Sequence, residues 1–442
     1  MRNEHMILGV GLANNFGMHP ATWRMPHVDP GAYTDINATV EQAQTAERGG
    51  LHFIFLADRL FLHGDVSTAP PLFNIDPIIT LSALSQVTSR IGLIGTASTS
   101  FTEPYLLARQ LKALDVISHG RLGWNAVPSF EPDAFANFGK NTPLPENKYE
   151  RLHEVIRIVQ ALWGSWGYEA GSPDKSGMFA NPAHIRPVNL RGEHVGARGP
   201  LPVPPSDQGQ PVVVMPASSS YGLQAAGMYA NVVIAMPSSI EEAKSLREMV
   251  RRAATQAGRS ADEIKFIAFA GFTVGATERE ALDKRRALDD LIDMRGALSR
   301  LGALLGLRDV SDRPDEPFTQ GQIAAIRQHP QDARSARVVK LAKAGWSPRD
   351  ILAHAVFDPY PSVVGSADQV ADHLQEWFEA GAADGFMTNF DDFHTGIQDF
   401  VDHVVPILRK RGLFHNDYKG KTLRDHLSLS PQYGLDPRIA IS

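Results

Sequence analysis

The sequence predicts an α/β protein, a (β/α)8 TIM barrel with long loop and helical insertions. Two observations lead there: eight short apolar runs read as strands, and helical patterns with marked ends lie between them. A third makes it feasible, since 442 residues suit one barrel with insertions. The strand candidates are Met6–Leu12, His52–Ala57, Ile91–Ser98, Leu122–Val127, Val212–Ala217, Val232–Met236, Phe266–Val274 and Gly385–Phe390. Val212-Val-Val-Met215 has the continuous valine-rich character of a parallel strand buried on both faces. Helix ends follow capping chemistry. Asn37 is expected to cap a helix that stops at Gly49-Gly50, while Asp76-Pro77 and Glu103-Pro104 start two more with proline in the first turn. Tyr149–Trp163 carries Leu152, Val155, Ile156, Val159 and Leu162 at helical spacing. Ser366 caps Val370–Ala380, and Gly381 ends it.

Two stretches break the repeat. Residues 164–210 are rich in glycine, proline and charge, as a functional loop or lid would be. Residues 277–357 read as a helical insertion before the last strand. The expected organisation is therefore one barrel over residues 1–412, with insertions at about 164–210 and 277–357. An extension over 413–442 is expected on the surface or at a subunit contact.

Composition narrows the function. A formal charge of −6 and a pI near 6.2 speak against nucleic acid as the main partner. With no cysteine there is no disulfide, thiolate nucleophile or cysteine metal site. No window approaches the about 18 uninterrupted apolar residues of a membrane span, and Met1–Met6 lacks a signal-peptide core, so a cytoplasmic address is expected.

Chemistry in such barrels sits at the C-terminal strand ends. Those ends supply Asp58-Arg59, Thr96, Ser98, Thr99, Asn125 and the run Ala217-Ser-Ser-Ser220. They are mostly neutral hydrogen-bonding groups, suited to a heterocycle and a phosphate rather than to hydrolysis by paired carboxylates. The serine run can hold a phosphate at a helix start, or the serines can merely cap that helix; the residues alone weigh these equally. Asp58 and Arg59 also read as a structural ion pair, Thr96 and Ser98 as an ordinary strand end, and Tyr149 as core packing. The sixteen histidines show no metal-ligand spacing, and dinucleotide, P-loop and Gly-x-Ser-x-Gly fingerprints are absent. His19 follows the first strand and is a candidate for moving a proton, against the alternative of an exposed loop histidine; His63 is a weaker pocket candidate. Phe61, Leu62, Phe73, Phe130 and Trp166 near the mouth favour an apolar or aromatic substrate.

Several passages together carry a resemblance: Leu56-Ala-Asp58, Arg90–Thr99, Glu103–Arg109, Leu114–Ser118, Gly120–Val127, Tyr149-Glu-Arg151, Ala217–Gly222, Val370–Leu374 and Ala380–Phe386. In them the chain resembles the flavin-dependent monooxygenases of the bacterial luciferase-like superfamily, in the branch of nitrilotriacetate monooxygenase component A and dibenzothiophene-sulfone monooxygenase. The resemblance implies FMN, bound as FMNH2 delivered by a separate NAD(P)H-dependent flavin reductase. It implies O2 capture as a flavin C4a-(hydro)peroxide that oxygenates a small organic substrate. It also implies a homo-oligomer, dimer or tetramer. Asp58, Thr96, Ser98 and Asn125 would surround the isoalloxazine and ribityl chain, with Tyr149, Ser218 and Ser219 on the phosphate side. An F420-dependent oxidoreductase and a non-catalytic flavin-binding paralogue are the alternatives. Pro145, Met215 and Pro128 depart from the family pattern; the first two are expected to touch flavin contacts, and Pro128 to reshape the substrate pocket.

Overall fold

A computed structural model describes residues 5–171, 173–216, 219–329, 332 and 334–433. Eight parallel strands close into a barrel: β1 (Ile7–Leu12), β2 (Phe53–Leu56), β3 (Gly92–Ser98), β4 (Leu122–Val127), β5 (Val212–Pro216), β6 (Val232–Ala235), β7 (Lys265–Gly275) and β8 (Gly385–Phe390). Each pairs with the next, and β8 pairs with β1 to complete the circle. All eight expected strands are present, with ends within about two residues.

Side chains alternate between two cores, as the pleat requires. Ile7, Phe53, Phe55, Ile94, Val212 and Val214 fill the barrel interior. Leu8, Ile54, Leu93, Trp124, Val213 and Met215 point outward, against the surrounding helices. Those helices include α1 (Ile36–Arg48), α2 (Pro77–Val87), α3 (Pro104–Ile117), α4 (Pro145–Trp163), α5 (Ser220–Tyr229), α6 (Ile240–Gln256), α7 (Glu278–Asp289) and α8 (Ala367–Glu379). Trp124 of β4 meets Trp163 of α4 edge to face, with ring centres 5.8 Å apart. The cap of α1 is Asp35, not Asn37: the Asp35 carboxylate accepts the Asn37 N–H, and its own backbone is extended. Asp76 caps α2 by accepting from Ile78 and Ile79, and Ser366 and Gln369 form a capping box on α8.

The first long connection folds back along α4. Glu154 of that helix accepts the N–H groups of Glu193, His194 and Val195. The second forms helices around a core of its own that includes Leu298, Leu301, Leu305, Val338 and Ile351. It returns through a strand the sequence did not reveal, Ser362–Ser366, which pairs with the distal half of the long β7. Arg285 of α7 ties this insertion to the barrel through Asp358 and Asp391, at 3.0 and 2.8 Å. Of the stretch after Gly412, expected on the surface or at a subunit contact, the described residues 413–433 reach into the barrel interior. Leu423 and Leu427 are fully buried in the barrel's interior core and plug its N-terminal end. Among the described residues no helix is long and apolar enough to cross a membrane.

Candidate active site

The C-terminal ends of β2 to β5 gather most of the expected residues. Thr96 and Asn125 stand opposite each other in the β3–β4 register, so their side chains share the inner face. The Asn125 amide donates to Thr96 Oγ1 at 2.9 Å, and the two residues are only 7% and 5% exposed. This fixes the amide at the barrel mouth. Ser98, two residues beyond Thr96, lies 2.9 Å from the hydroxyl of Ser129 in the loop after β4.

A second group forms where β5 passes into α5. Ser219 is the cap of α5, its hydroxyl accepting the Gly222 N–H at 3.1 Å. Tyr149 of α4 brings its phenol oxygen within 3.0 Å of that same hydroxyl. A side chain at position 222 would meet Ser219 Oγ at 3.2 Å and the Tyr149 oxygen at 3.4 Å, so glycine leaves the two hydroxyls their space. Tyr149 also stacks on Tyr221, with centres 5.3 Å apart. Ser218 lies outside the described residues. Two residues after Tyr149, Arg151 donates through Nε to the Thr99 carbonyl at 3.1 Å and keeps a buried Nη2 with no partner. The sequence offered Tyr149-Glu-Arg151 as a motif but gave no sign that this guanidinium holds an unused donor.

Asp58 sits half-buried just beyond β2. Burial, and then the nearby Asp76 carboxylate, push it up to about 6. Arg59 pairs with Glu131 at 3.8 Å and lies beside the rings of Phe61 and Phe73, so the Asp58–Arg59 ion pair is not what forms. Lys148 lies over Phe130 and Tyr149, and burial lowers its ammonium. The rim thus offers cations framed by aromatic faces.

His19 is buried rather than exposed. Its Nδ1 accepts the Ala21 N–H, and its Nε2 lies 3.2 Å from Asp289 of α7, so both nitrogens are engaged. His63 is exposed and packs edge-on against Phe61. Of the departures from the family pattern, Met215 points away from the mouth into the outer core, and Pro145 opens α4. Met215 is therefore turned away from the barrel interior, although it was expected among the flavin contacts. Among the described residues no group of three or more His, Cys, Asp or Glu could hold a metal ion.

Residues 16–384 match the family described as luciferase-like monooxygenase. The chain belongs to that family. It is 36% identical to N-acetyl-S-(2-succino)cysteine monooxygenase of Bacillus subtilis over 97% of each chain. It is 34% identical to nitrilotriacetate monooxygenase component A of Aminobacter aminovorans, again over 97% of each. EDTA monooxygenase from Chelativorans sp. BNC1 superimposes with a TM-score of 0.82 at 31% identity, covering 97% of this chain and 99% of that one. This family member is a flavin-dependent monooxygenase that works on a small organic molecule with reduced FMN. A separate flavin reductase is implied by its two-component relatives.

Proposed function

We propose that the cluster at the ends of β2 to β5 is the FMN site of this monooxygenase. Asp58, Thr96, Ser98 and Asn125 would surround the ring system and ribityl chain, and Tyr149, Ser218 and Ser219 the phosphate. The observation that carries this is the Tyr149–Ser219 hydroxyl pair at the start of α5. Two hydroxyls beside the free N–H groups and positive end of a helix suit a phosphate dianion. The residues present fit the cofactor further in the unused Arg151 donor and in the fixed, buried Asn125 amide.

When bound, reduced FMN supplies the two electrons that let one oxygen atom of O2 enter the substrate while the other leaves as water. The protein's part is to orient and to exclude water. Thr96 and Asn125, fixed to each other at the barrel mouth, would hold the ring edge. His19, with both nitrogens engaged, serves to hold the loop after β1 against α7 rather than to deliver a proton.

The substrate in this reading is a small organic molecule with an apolar body against Phe61, Phe73 and Phe130 and an acidic group near Arg59 or Lys148. The acidic groups named in nitrilotriacetate and N-acetyl-S-(2-succino)cysteine accord with it. An NAD(P)H-dependent reductase, a homo-oligomeric state and a cytoplasmic address complete the proposal. So does a barrel unit over 1–412 with its two insertions, closed at its N-terminal end by the C-terminal extension.

The test is anaerobic titration with photoreduced FMN, followed by O2 and candidate substrates, with product analysed by mass spectrometry. Asn125→Ala and Ser219→Ala should each weaken FMNH2 binding by ~1–3 kcal/mol. Undiminished affinity in a folded variant removes that residue from the site. Failure to bind FMNH2 together with binding of reduced F420 would refute the assignment.

A further inference from the structure

The opposite, N-terminal end of the barrel holds a cavity of about 360 Å³, and nothing in the reaction above uses it. Four histidines line it: His5 before β1, His52 before β2, and His415 and His426 from the segment that plugs the barrel. His52 and His415 rings lie 4.6 Å apart, and His426 packs at a tilt against Tyr418, 4.8 Å between centres.

The hydrogen positions follow from the partners. His52 Nδ1 accepts the Leu8 N–H at 3.1 Å, which places its ring hydrogen on Nε2. His415 faces two carbonyl oxygens, Asp417 O at 2.5 Å from Nδ1 and Gly50 O at 2.8 Å from Nε2. Carbonyls only accept, so each His415 nitrogen is aimed at an acceptor. His426 is 5% exposed, and neither of its ring nitrogens has a partner. A buried polar group left this way needs an explanation, and an unassigned ligand is one.

The same bookkeeping decides the ligand class. A metal needs several free lone pairs, but the one on His52 is taken and both ring nitrogens of His415 face carbonyl oxygens. What the cavity offers instead is N–H donors and positive charge: His52 Nε2–H, His426 and Lys419. The charged groups around His426 agree. Arg90 spends Nη2 on the Tyr418 and Gly420 carbonyls, and Arg121 is bonded to Ser85, Thr88, Ile91 and Ser118. The nearby carboxylates already take backbone N–H groups. Asp417 accepts from Tyr418, Asp425 from Lys421 and Thr422, and Glu47 from Ser89, Arg90 and Ile91.

We propose that this cavity is a second ligand site, which takes a small oxyanion, phosphate, sulfate or carboxylate, on the ring N–H groups of His426 and His52. Proton uptake accompanies binding. Burial, and then Arg90, hold His426 down at about 4, and an anion in contact reverses this; His52, whose Nδ1 accepts the Leu8 N–H, contributes its Nε2–H without taking up a proton. Affinity therefore rises as pH falls, by at most about tenfold per pH unit for each proton taken up.

Sulfate is the probe, because its charge is constant between about pH 5 and 8. Calorimetric titration of the full chain at about pH 6 and about pH 8 should show a sulfate site that weakens at least about tenfold at the higher pH. His426→Phe, which keeps the ring packing on Tyr418, should abolish it while FMNH2 binding at the other end persists. Ser219→Ala should leave it unchanged, which separates this site from the flavin phosphate cradle. Independently, wild-type crystals soaked in selenate should give an anomalous peak within hydrogen-bond reach of the His426 and His52 rings. An isotherm unchanged in His426→Phe, an affinity flat with pH, or no peak in the cavity would each overturn the proposal.

Discussion

Replacing Asp58 with asparagine should stabilise the protein, and only in one pH range. The carboxyl is half-buried at the barrel mouth, and burial followed by the Asp76 charge raises it from 3.8 to about 6. A carboxyl raised in the folded state binds its proton more tightly there than in the unfolded chain. Stability is therefore highest below about pH 4 with respect to this group and declines as pH rises toward about 6; above that the penalty is constant. At about 1.4 kcal/mol per pH unit, the interval corresponds to ~3 kcal/mol. The group is only half-buried and solvent screens its charge, so ~1–2 kcal/mol is the figure to expect. The asparagine side chain keeps the shape of the carboxyl and lacks its charge. The thermal midpoint of Asp58→Asn minus that of the wild type should be near zero at about pH 4, climb through pH 5 and 6, and level off above 7 at a few degrees. Turnover should fall in the same variant if the carboxylate faces the cofactor, a trade of stability for function. Parallel midpoints at every pH, or a variant less stable at pH 7.5, would refute the reasoning.

Arg285→Met should cost ~3–5 kcal/mol, because Asp289, Asp358 and Asp391 would then face one another without their cation. That deficit, read from urea midpoints, should shrink as acidification neutralises the carboxylates. Lys112→Met should destabilise by a similar ~3 kcal/mol, since the fully buried ammonium bonds the Gly209 carbonyl beside the buried Asp115. Hydrogen exchange should then report opening first at residues 206–210. Ser219→Ala, apart from any flavin effect, should lower stability by ~1 kcal/mol through loss of the α5 cap, with faster amide exchange confined to that helix's first turn. His19→Gln should lower the thermal midpoint while leaving the pH profile of turnover unmoved, because the ring's partners are Ala21 and Asp289; a profile that loses a limb would return His19 to proton transfer.

What the sequence made readable, and what it hid, follows from the range of the interactions involved. Strands β1 to β8 were legible because parallel strands buried on both faces leave unbroken apolar runs, a local signal. The same runs conceal which residues face inward, so Met215 looked like a flavin contact although the pleat turns it outward, opposite in sense to Val214. Asp35 and Asn37 are both competent caps, and only the extended backbone at Asp35 chooses between them. The strand Ser362–Ser366 escaped because its partner is the far half of β7, about ninety positions earlier in the chain. The site divides the same way. Thr96 and Asn125 could be paired from neighbouring strand ends, since register alone brings them together. Tyr149 and Ser219 are seventy residues apart, and His19 and Asp289 two hundred and seventy, and no periodicity links either pair. The resemblance to a family supplied the first association and was silent on the second. The histidines of the barrel's closed end show the limit most plainly: His52, His415 and His426 scatter without ligand spacing in the sequence, and the plug formed by the C-terminal segment is what makes them neighbours. Barrel walls are written in local pattern, whereas the polar groups that close its two ends are assembled by contacts between distant segments. Substitutions at those contacts, rather than in the strands, are where the function of the molecule should prove most sensitive.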